Sequence, residues 1–493
     1  MNNALGYQMD GANQMLSGLV WLPLVGIGIL WLCPPAWGRA VSIATAVGLG
    51  VWTGVLVTQF DVHTAGWQMV EQLPWLDNLG LSYGLAVDGL SLPLLGLNAL
   101  ILVLVVVSGQ PETRPRLYYS LLHLTGAAVG GAFLAQNLLL FFLFYELELL
   151  PLYLLIAIWG GVRRDYAAIK FLVYTAISGL VLLAAFFGLV VLSGSGSFDY
   201  GAIVTENLGV GAQVGVLILL LIGLGIKIPL VPLHTWLPDA HVEASTPVSM
   251  LLAGVLLKLG TYGLLRFGVQ LLPQGWQVLA PFLAVWAVVS VLYGSFMAIG
   301  QRDMKRVVAY SSIGHMGYVL LAAAAATPLA LVAAVAQMVS HGLIAALLFF
   351  LVGVVYRVTG TRDLERLQGL LTPERGLPVV GSLMILAVMA SSGIPGMVGF
   401  VSEFMVFRGS FPVFPLLTLL AMLGTGLTSV YFLLLVNRAF FGRLTPALAE
   451  LPPVSWGQRA PAIVLAVLVV TLGLQPAWLV RWSEATVGTW GQG

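Results

Sequence analysis

Long apolar runs separated by short polar stretches recur along almost the whole chain. A helix needs about 20 apolar residues to cross the hydrocarbon core of a bilayer. Runs of that length predict fourteen spans, at roughly 16–33, 38–58, 84–108, 117–136, 138–159, 167–193, 211–233, 246–270, 275–299, 307–326, 328–356, 378–407, 412–441 and 460–482. The fourth and fifth are parted only by Ala135, Gln136 and Asn137, which leaves the count open by one. The expected fold is an all-α polytopic membrane protein.

Two of the runs are punctuated. In the seventh, Pro229 and Pro232 follow Lys227; in the twelfth, Gly393, Pro395, Gly396 and Gly399 precede Glu403. Proline removes a backbone donor, and inside a membrane the freed backbone must be satisfied by surrounding protein or water. Two broken spans, each with an ionisable residue and five spans apart, suggest an internal repeat. A five-span unit has odd parity, so successive copies would be inverted. The expected organisation is an N-terminal three-helix segment (1–110), a first repeat (111–270), a second repeat (271–445) and a C-terminal portion with the last span (446–493).

Composition agrees with a membrane-embedded chain: of 493 residues 59% are hydrophobic and 8% charged, against about 25% charged in soluble domains. A net charge of +1 offers no basic surface for nucleic acid. A single cysteine, Cys33, excludes an internal disulfide. No Lys or Arg precedes the first run, which is therefore read as a retained span and not a cleavable signal. Fifteen of the 21 Lys and Arg residues, Arg375 among them, fall in one set of alternate loops; Arg266, Arg408 and Arg481 fall in the other. By the positive-inside rule both termini lie on the non-cytoplasmic side. Residues 59–83, with four acidic or His side chains and no Lys or Arg, form the longest loop on that side.

Ionisable residues inside spans are costly and mark transport paths by default. Lys227 and Lys258 interrupt apolar runs and are expected to face inward. In FFLFYELELLP, Glu146 and Glu148 are two apart, so they point about 200° away from each other on a helix and cannot serve one path together. Glu146 is expected to be the functional one; Glu148 reads equally as a helix-interface carboxylate. Lys170 stands at the start of its span, where it can snorkel to the surface. His315 and His341, in consecutive spans beside Ser311, Ser312 and Ser340, are placed to relay protons through water. His234, Asp239, His241 and Glu243 crowd the stretch after the broken seventh span. A metal site there is disfavoured: the His-x-Glu has no Pro-Cys-x-x-Cys partner. Gly223 to Lys227 lacks the spacing of a phosphate loop, and no iron–sulfur or dinucleotide-binding motif occurs. No cofactor or metal is expected in this chain.

FFLFYELELLP, KIPLVPLHTWLPDAHVEASTPVSMLLAGVLLKLGTYGLLR, AYSSIGHMGYVLL, QMVSHGLIAALLFF and GIPGMVGFVSEF stand in an order that resembles the antiporter-like proton-pumping subunits of complex I and its photosynthetic relatives, the NuoM and NdhD group or chain 4. The resemblance covers most of the chain and implies fourteen spans, two inverted five-helix repeats and broken seventh and twelfth helices. It implies Glu146 as the ion-pair partner of Lys227, Lys258 as the connecting lysine, His315 and His341 as central histidines, and Glu403 as the exit-side carboxylate. The Glu-x-Glu pair with the following WGG and double Arg resembles the cyanobacterial and plastid NdhD type, and the tail features ASSGIPGMVGF and VNRAFFGRL are similar to NdhD variants of cyanobacterial complexes for carbon dioxide uptake. The resemblance further implies a thylakoid location with lumenal termini. Partners would be NdhF- and NdhB-type membrane subunits, lipids and a carbon dioxide hydration subunit, with quinone and iron–sulfur clusters held by other subunits. Two rival readings are a subunit of a multisubunit sodium/proton antiporter, which shares the Lys and His motifs, and a non-pumping membrane scaffold.

Overall fold

The computed structural model describes residues 15–490 except 374–375 and 449–450. Arg375 and the first fourteen residues of the N-terminal segment therefore lie outside the described residues. Thirteen helices among those described are long and apolar enough to cross a membrane, and a broken pair supplies the fourteenth span.

The chain runs α1 (Met15–Leu32), α2 (Gly38–Gln59), a two-stranded antiparallel hairpin of β1 (Gln68–Leu76) and β2 (Leu81–Val87), then α3 (Ser91–Ser108) and α4 (Pro115–Leu134). The fifth span is made of α5 (Leu138–Leu147) and α6 (Leu149–Trp159), with Glu148 at the join. Asn137 separates it from α4 by accepting hydrogen bonds from the amides of Leu139 and Leu140, an N-cap that restarts the helix. Next come α7 (Arg164–Ser193), α8 (Val210–Lys227) and the short α9 (Trp236–Glu243).

The eighth span, Thr246–Gln270, alternates α10 (Thr246–Leu251), a π-helical stretch (Leu252–Leu256), α11 (Leu257–Gly263) and a second π-helical stretch (Leu264–Gln270). Wide turns of this kind inside helices concentrate at functional sites. The remaining helices are α12 (Pro273–Ile299), α13 (Met304–Ala325), α14 (Pro328–Thr359), α15 (Pro378–Ser391), α16 (Val398–Ser410), α17 (Pro415–Ala439), α18 (Trp456–Leu474) and α19 (Ala477–Val487).

Burial sorts these spans. The eighth and α14 are enclosed by protein along their apolar length and α13 nearly so, whereas α1, α2 and α18 present most of theirs outward. The enclosed spans are those that carry Lys258, His341 and His315. Both breaks fall where Pro and Gly predict. Around Lys227 the freed backbone finds partners: Trp236 Nε1 donates to the Ile226 carbonyl (2.8 Å), Trp286 Nε1 to the Val231 carbonyl (2.5 Å), and the Val231 amide to Ser290 Oγ (3.2 Å). At the second break Gly393 and Gly396 take φ of +68° and +90°, values that side chains with a Cβ resist.

Three expectations are corrected. Residues 84–87, assigned to the third span, belong to β2, and most of the loop at 59–83 is the other part of the hairpin; an apolar strand beside an apolar helix reads as one run. Glu71 of β1 accepts from the Leu16 and Ser17 amides (2.6 and 3.0 Å), tying the hairpin to the positive end of α1. The last span ends at Leu474, and α19 is a separate helix. Arg266 is not in an outer loop: it is buried and paired with Asp88 at 2.6 Å.

Candidate functional site

Lys227 and Glu148 form an ion pair with both side chains fully buried. Lys227 Nζ also lies 4.1 Å from the centre of the Tyr145 ring. Tyr145 Oη and Ser178 Oγ are 2.8 Å apart, and Ser178 Oγ donates to the Gly223 carbonyl at 2.7 Å, which fixes the ring. This corrects the expectation that Glu146 partners Lys227. Glu148 lies three residues after Tyr145 and shares its inward face, as i and i+3 must on a helix. Glu146 points to the side of α5, half-buried next to exposed Leu143 and Leu147, and its carboxylate sits against Gly179 of α7: a Cβ there would lie 1.9 Å from Glu146 Oε1.

Lys258 is fully buried, and among the described residues no carboxylate lies within ion-pair distance of it. Its ammonium donates to the Ala253 carbonyl, inside the first π-helical stretch, at 2.5 Å, and stands 2.8 Å from His341 Nδ1. When Lys258 is an ammonium it can only donate, so that Nδ1 then accepts and the His341 proton sits on Nε2. The His341 and His315 rings are 5.6 Å apart between centres. His315 Nδ1 faces the Ser311 carbonyl (2.8 Å), and Nε2 faces Glu403 Oε1 (3.5 Å) and Ser391. Glu403 Oε2 accepts from Thr425 Oγ1 at 2.9 Å.

A cavity of about 10 Å³, lined by both histidines, Gln337, Ser340, Ser391 and Glu403, lies along this row. It has room for one water molecule. His341 Nε2, Ser340 Oγ and Gln337 Oε1 are buried beside it without a hydrogen-bond partner. Lys258, His341, His315 and Glu403 thus stand in a row of neighbouring protonatable groups. The Lys227 end packs directly on the span of Lys258, since a Cβ on Gly260 would lie 2.8 Å from Ile228.

The other sequence candidates surround the row. Lys170 pairs with Asp239 at 2.8 Å, and Asp239 also holds Arg306 at 3.3 Å. His234 lies against Tyr293, with ring centres 4.9 Å apart. His241 stacks on Phe349 at 4.4 Å, and neither of its ring nitrogens has a partner. Among the described residues no three His, Cys, Asp or Glu side chains converge as metal ligands. Sequence reasoning missed the Asp88–Arg266 pair, which is flanked by the rings of Trp67, Tyr262 and Trp490. The signal was present: Arg266 ends an apolar run that has little room to snorkel.

A many-span helical bundle with two broken spans and a buried row of protonatable groups defines a membrane subunit of the ion-translocating class. Residues 135–428 match the family model described as NADH:quinone oxidoreductase/Mrp antiporter, TM. The NAD(P)H-quinone oxidoreductase chain 4 2 of Thermosynechococcus vestitus is 42% identical over 477 residues, which are 94% of this chain and 89% of that protein. Chain 4 1 of a Synechococcus species is 42% identical over 96% of this chain and 91% of its own length. The chain belongs to this family of NAD(P)H-quinone oxidoreductase chain 4 proteins. Among solved structures, a chain of respiratory complex I from Thermus thermophilus with bound NADH superposes with a TM-score of 0.88, at 28% identity over 97% of this chain and 99% of that one. A chain of the Mrp complex from Dietzia has the same fold, at a TM-score of 0.86 and 22% identity over 97% of this chain and 98% of that one.

Proposed function

We propose that this chain is the proton-translocating, antiporter-like membrane subunit of a complex I-like NAD(P)H-quinone oxidoreductase. The observation that carries the reading is the row Lys258, His341, His315 and Glu403, in which each buried group stands near the next. The Glu148–Lys227 pair is the switch. While closed, it neutralises Lys227; when open, a lysine without its counter-ion is a poor place for a charge in low dielectric, and the proton passes towards Lys258 and along the row to Glu403. Each proton moved against 100 mV requires about 2.3 kcal/mol, within the reach of a buried ion pair that opens and closes. The energy comes from quinone reduction in partner subunits, which hold the iron–sulfur clusters and the quinone.

The finer reading is a cyanobacterial complex of the carbon dioxide uptake type, in the thylakoid membrane with lumenal termini, beside NdhF- and NdhB-type subunits and a carbon dioxide hydration subunit. ASSGIPGMVGF and VNRAFFGRL support it, as does the cyanobacterial origin of the chain 4 relatives. The test is purification of the tagged chain from its native membrane with mass spectrometry of what accompanies it. Iron–sulfur and quinone-binding subunits are expected, with a carbon dioxide hydration protein among them. Recovery of small antiporter subunits alone would overturn the redox-driven reading.

A further inference from the structure

A cavity of about 1020 Å³ opens on the face that carries the basic loops, the cytoplasmic side by the positive-inside rule. It reaches down between the α3–α4 and α6–α7 loops to the C-terminal end of α9 and the start of α10. At its lining stands Lys305, on the first turn of α13 and only 3% exposed. The ammonium donates to the Ala244 carbonyl at 2.5 Å.

The charged groups around Lys305 come from every segment that meets there: Glu112 from the α3–α4 loop, Arg163 from the α6–α7 loop, Glu243 from α9, Asp303 and Arg306 at the head of α13, Arg357 from α14, and Arg362 after it. The carboxylates nearest to it are engaged elsewhere. Glu243 accepts from the Arg163 amide at 2.9 Å, and Asp303 caps α13 through the Lys305 and Arg306 amides (2.7 and 3.2 Å) while pairing with Arg362 at 3.2 Å. Among the described residues none comes within ion-pair distance of the Lys305 ammonium. Lys305 is therefore a buried amine at a water-accessible vestibule, with Asp303 and Glu243 nearby but no carboxylate paired with it directly.

What lies inward of Lys305 is protonatable. Ala244, whose carbonyl it binds, comes three residues after His241, and the His241 ring stacks on Phe349 with both nitrogens unpartnered. Phe349 stands about 12 Å along α14 from His341, at 1.5 Å per residue. His241 thus occupies the depth between the vestibule and the Lys258–His341 contact.

We propose that Lys305 is the intake group of the proton path, taking protons from vestibule water and passing them inward past His241 to Lys258. The step is a proton transfer alone: a hydronium in the vestibule protonates the neutral amine, and the ammonium then returns to the amine as the imidazole nitrogen or an intervening water accepts that proton. This rests on the proposed function above. The competing role is structural, a fixed cation capping the carbonyl end of α9, and arginine separates the two. Its guanidinium can cap a helix end but does not give up its proton.

The experiment uses the whole complex reconstituted in proteoliposomes, with subunit content checked for each variant and Lys258→Met as the reference. Pumping in Lys305→Arg is expected to fall at least fivefold, and the deficit to shrink when the pH on the vestibule side is lowered by one unit. Lys305→Met is expected to behave likewise. Wild-type pumping in Lys305→Arg together with loss in Lys258→Met overturns the intake role and leaves the proposed function standing. Wild-type pumping in Lys258→Met overturns the proposed function and the intake role with it.

Discussion

Replacing Glu148 by glutamine removes the negative charge from a fully buried pair while keeping the size and one acceptor oxygen of the side chain. Taking one partner from a buried ion pair costs about 3–5 kcal/mol, because the other charge is left uncompensated in low dielectric. At about 1.4 kcal/mol per factor of ten, even the lower figure shifts the balance between closed and open forms about a hundredfold. Lys227 can escape that cost only by losing its proton, which disables the switch in either form. Glu146→Gln carries no comparable cost, since that side chain is half-buried, points towards Gly179 and makes no ion pair with Lys227. The assay is proton uptake per quinone reduced, measured by a fluorescent pH probe in proteoliposomes with subunit content checked in parallel. Glu148→Gln is expected to lower that ratio at least tenfold, and Glu146→Gln to keep more than half of it. The double variant Glu148→Gln with Lys227→Met is expected to be more stable than Glu148→Gln alone without regaining pumping, because removing both charges also removes the uncompensated one. A Glu146→Gln defect equal to or larger than that of Glu148→Gln would refute the assignment of the pair.

Three further outcomes follow from particular contacts. Asp88→Asn, which strands Arg266 among Trp67, Tyr262 and Trp490, is expected to cost about 3–5 kcal/mol of stability, read as early loss of the subunit from the complex on heating. Phe349→Ala removes the ring under His241 and is expected to destabilise by about 3–5 kcal/mol in the same heating assay, with His241→Phe milder because the stack survives. Gly393→Ala forces a Cβ onto a residue at φ +68°, with Glu403 Oε2 3.0 Å from where that Cβ would lie. A cost of about 1–2 kcal/mol and a fall in pumping are expected, whereas Gly426→Ala, with open space around its Cβ position, should leave both unchanged.

The spans were legible because a membrane imposes one length on every crossing helix, and the two breaks because Pro and Gly act locally on the backbone. The hairpin was not: β2 ends in the apolar Leu85, Ala86 and Val87 shortly before α3, and run length alone does not separate a buried strand from a helix start. α19 was absorbed into the last span for the same reason, its boundary being no more than Gln475 and Pro476. Within the site, Lys258, His315, His341 and Glu403 were legible one by one as ionisable groups in apolar surroundings, and the structure brings them together. The choice between Glu146 and Glu148 was not legible. Both positions satisfy the pattern, and the outcome depends on which helix face meets Lys227, a property of tertiary packing. Lys305 was counted with the loops because it stands two residues before the span predicted at 307–326; only the fold shows α13 starting at Met304 and α9 closing over it.

The far end of α9 is fastened on all sides. Asp239 holds Lys170 and Arg306, the Glu243 carbonyl accepts from the Gly161 amide at 2.8 Å, Arg362 binds the Val242 carbonyl at 2.7 Å, and Lys305 binds that of Ala244. Mechanically, α9 is a beam clamped at its outer end to α7, α13 and two loops. A displacement that parts Lys227 from Glu148 cannot be taken up by sliding the beam. It has to be absorbed in residues 228–235, where prolines have already thinned the backbone hydrogen bonding, so the joint lies beside the pair proposed as the switch.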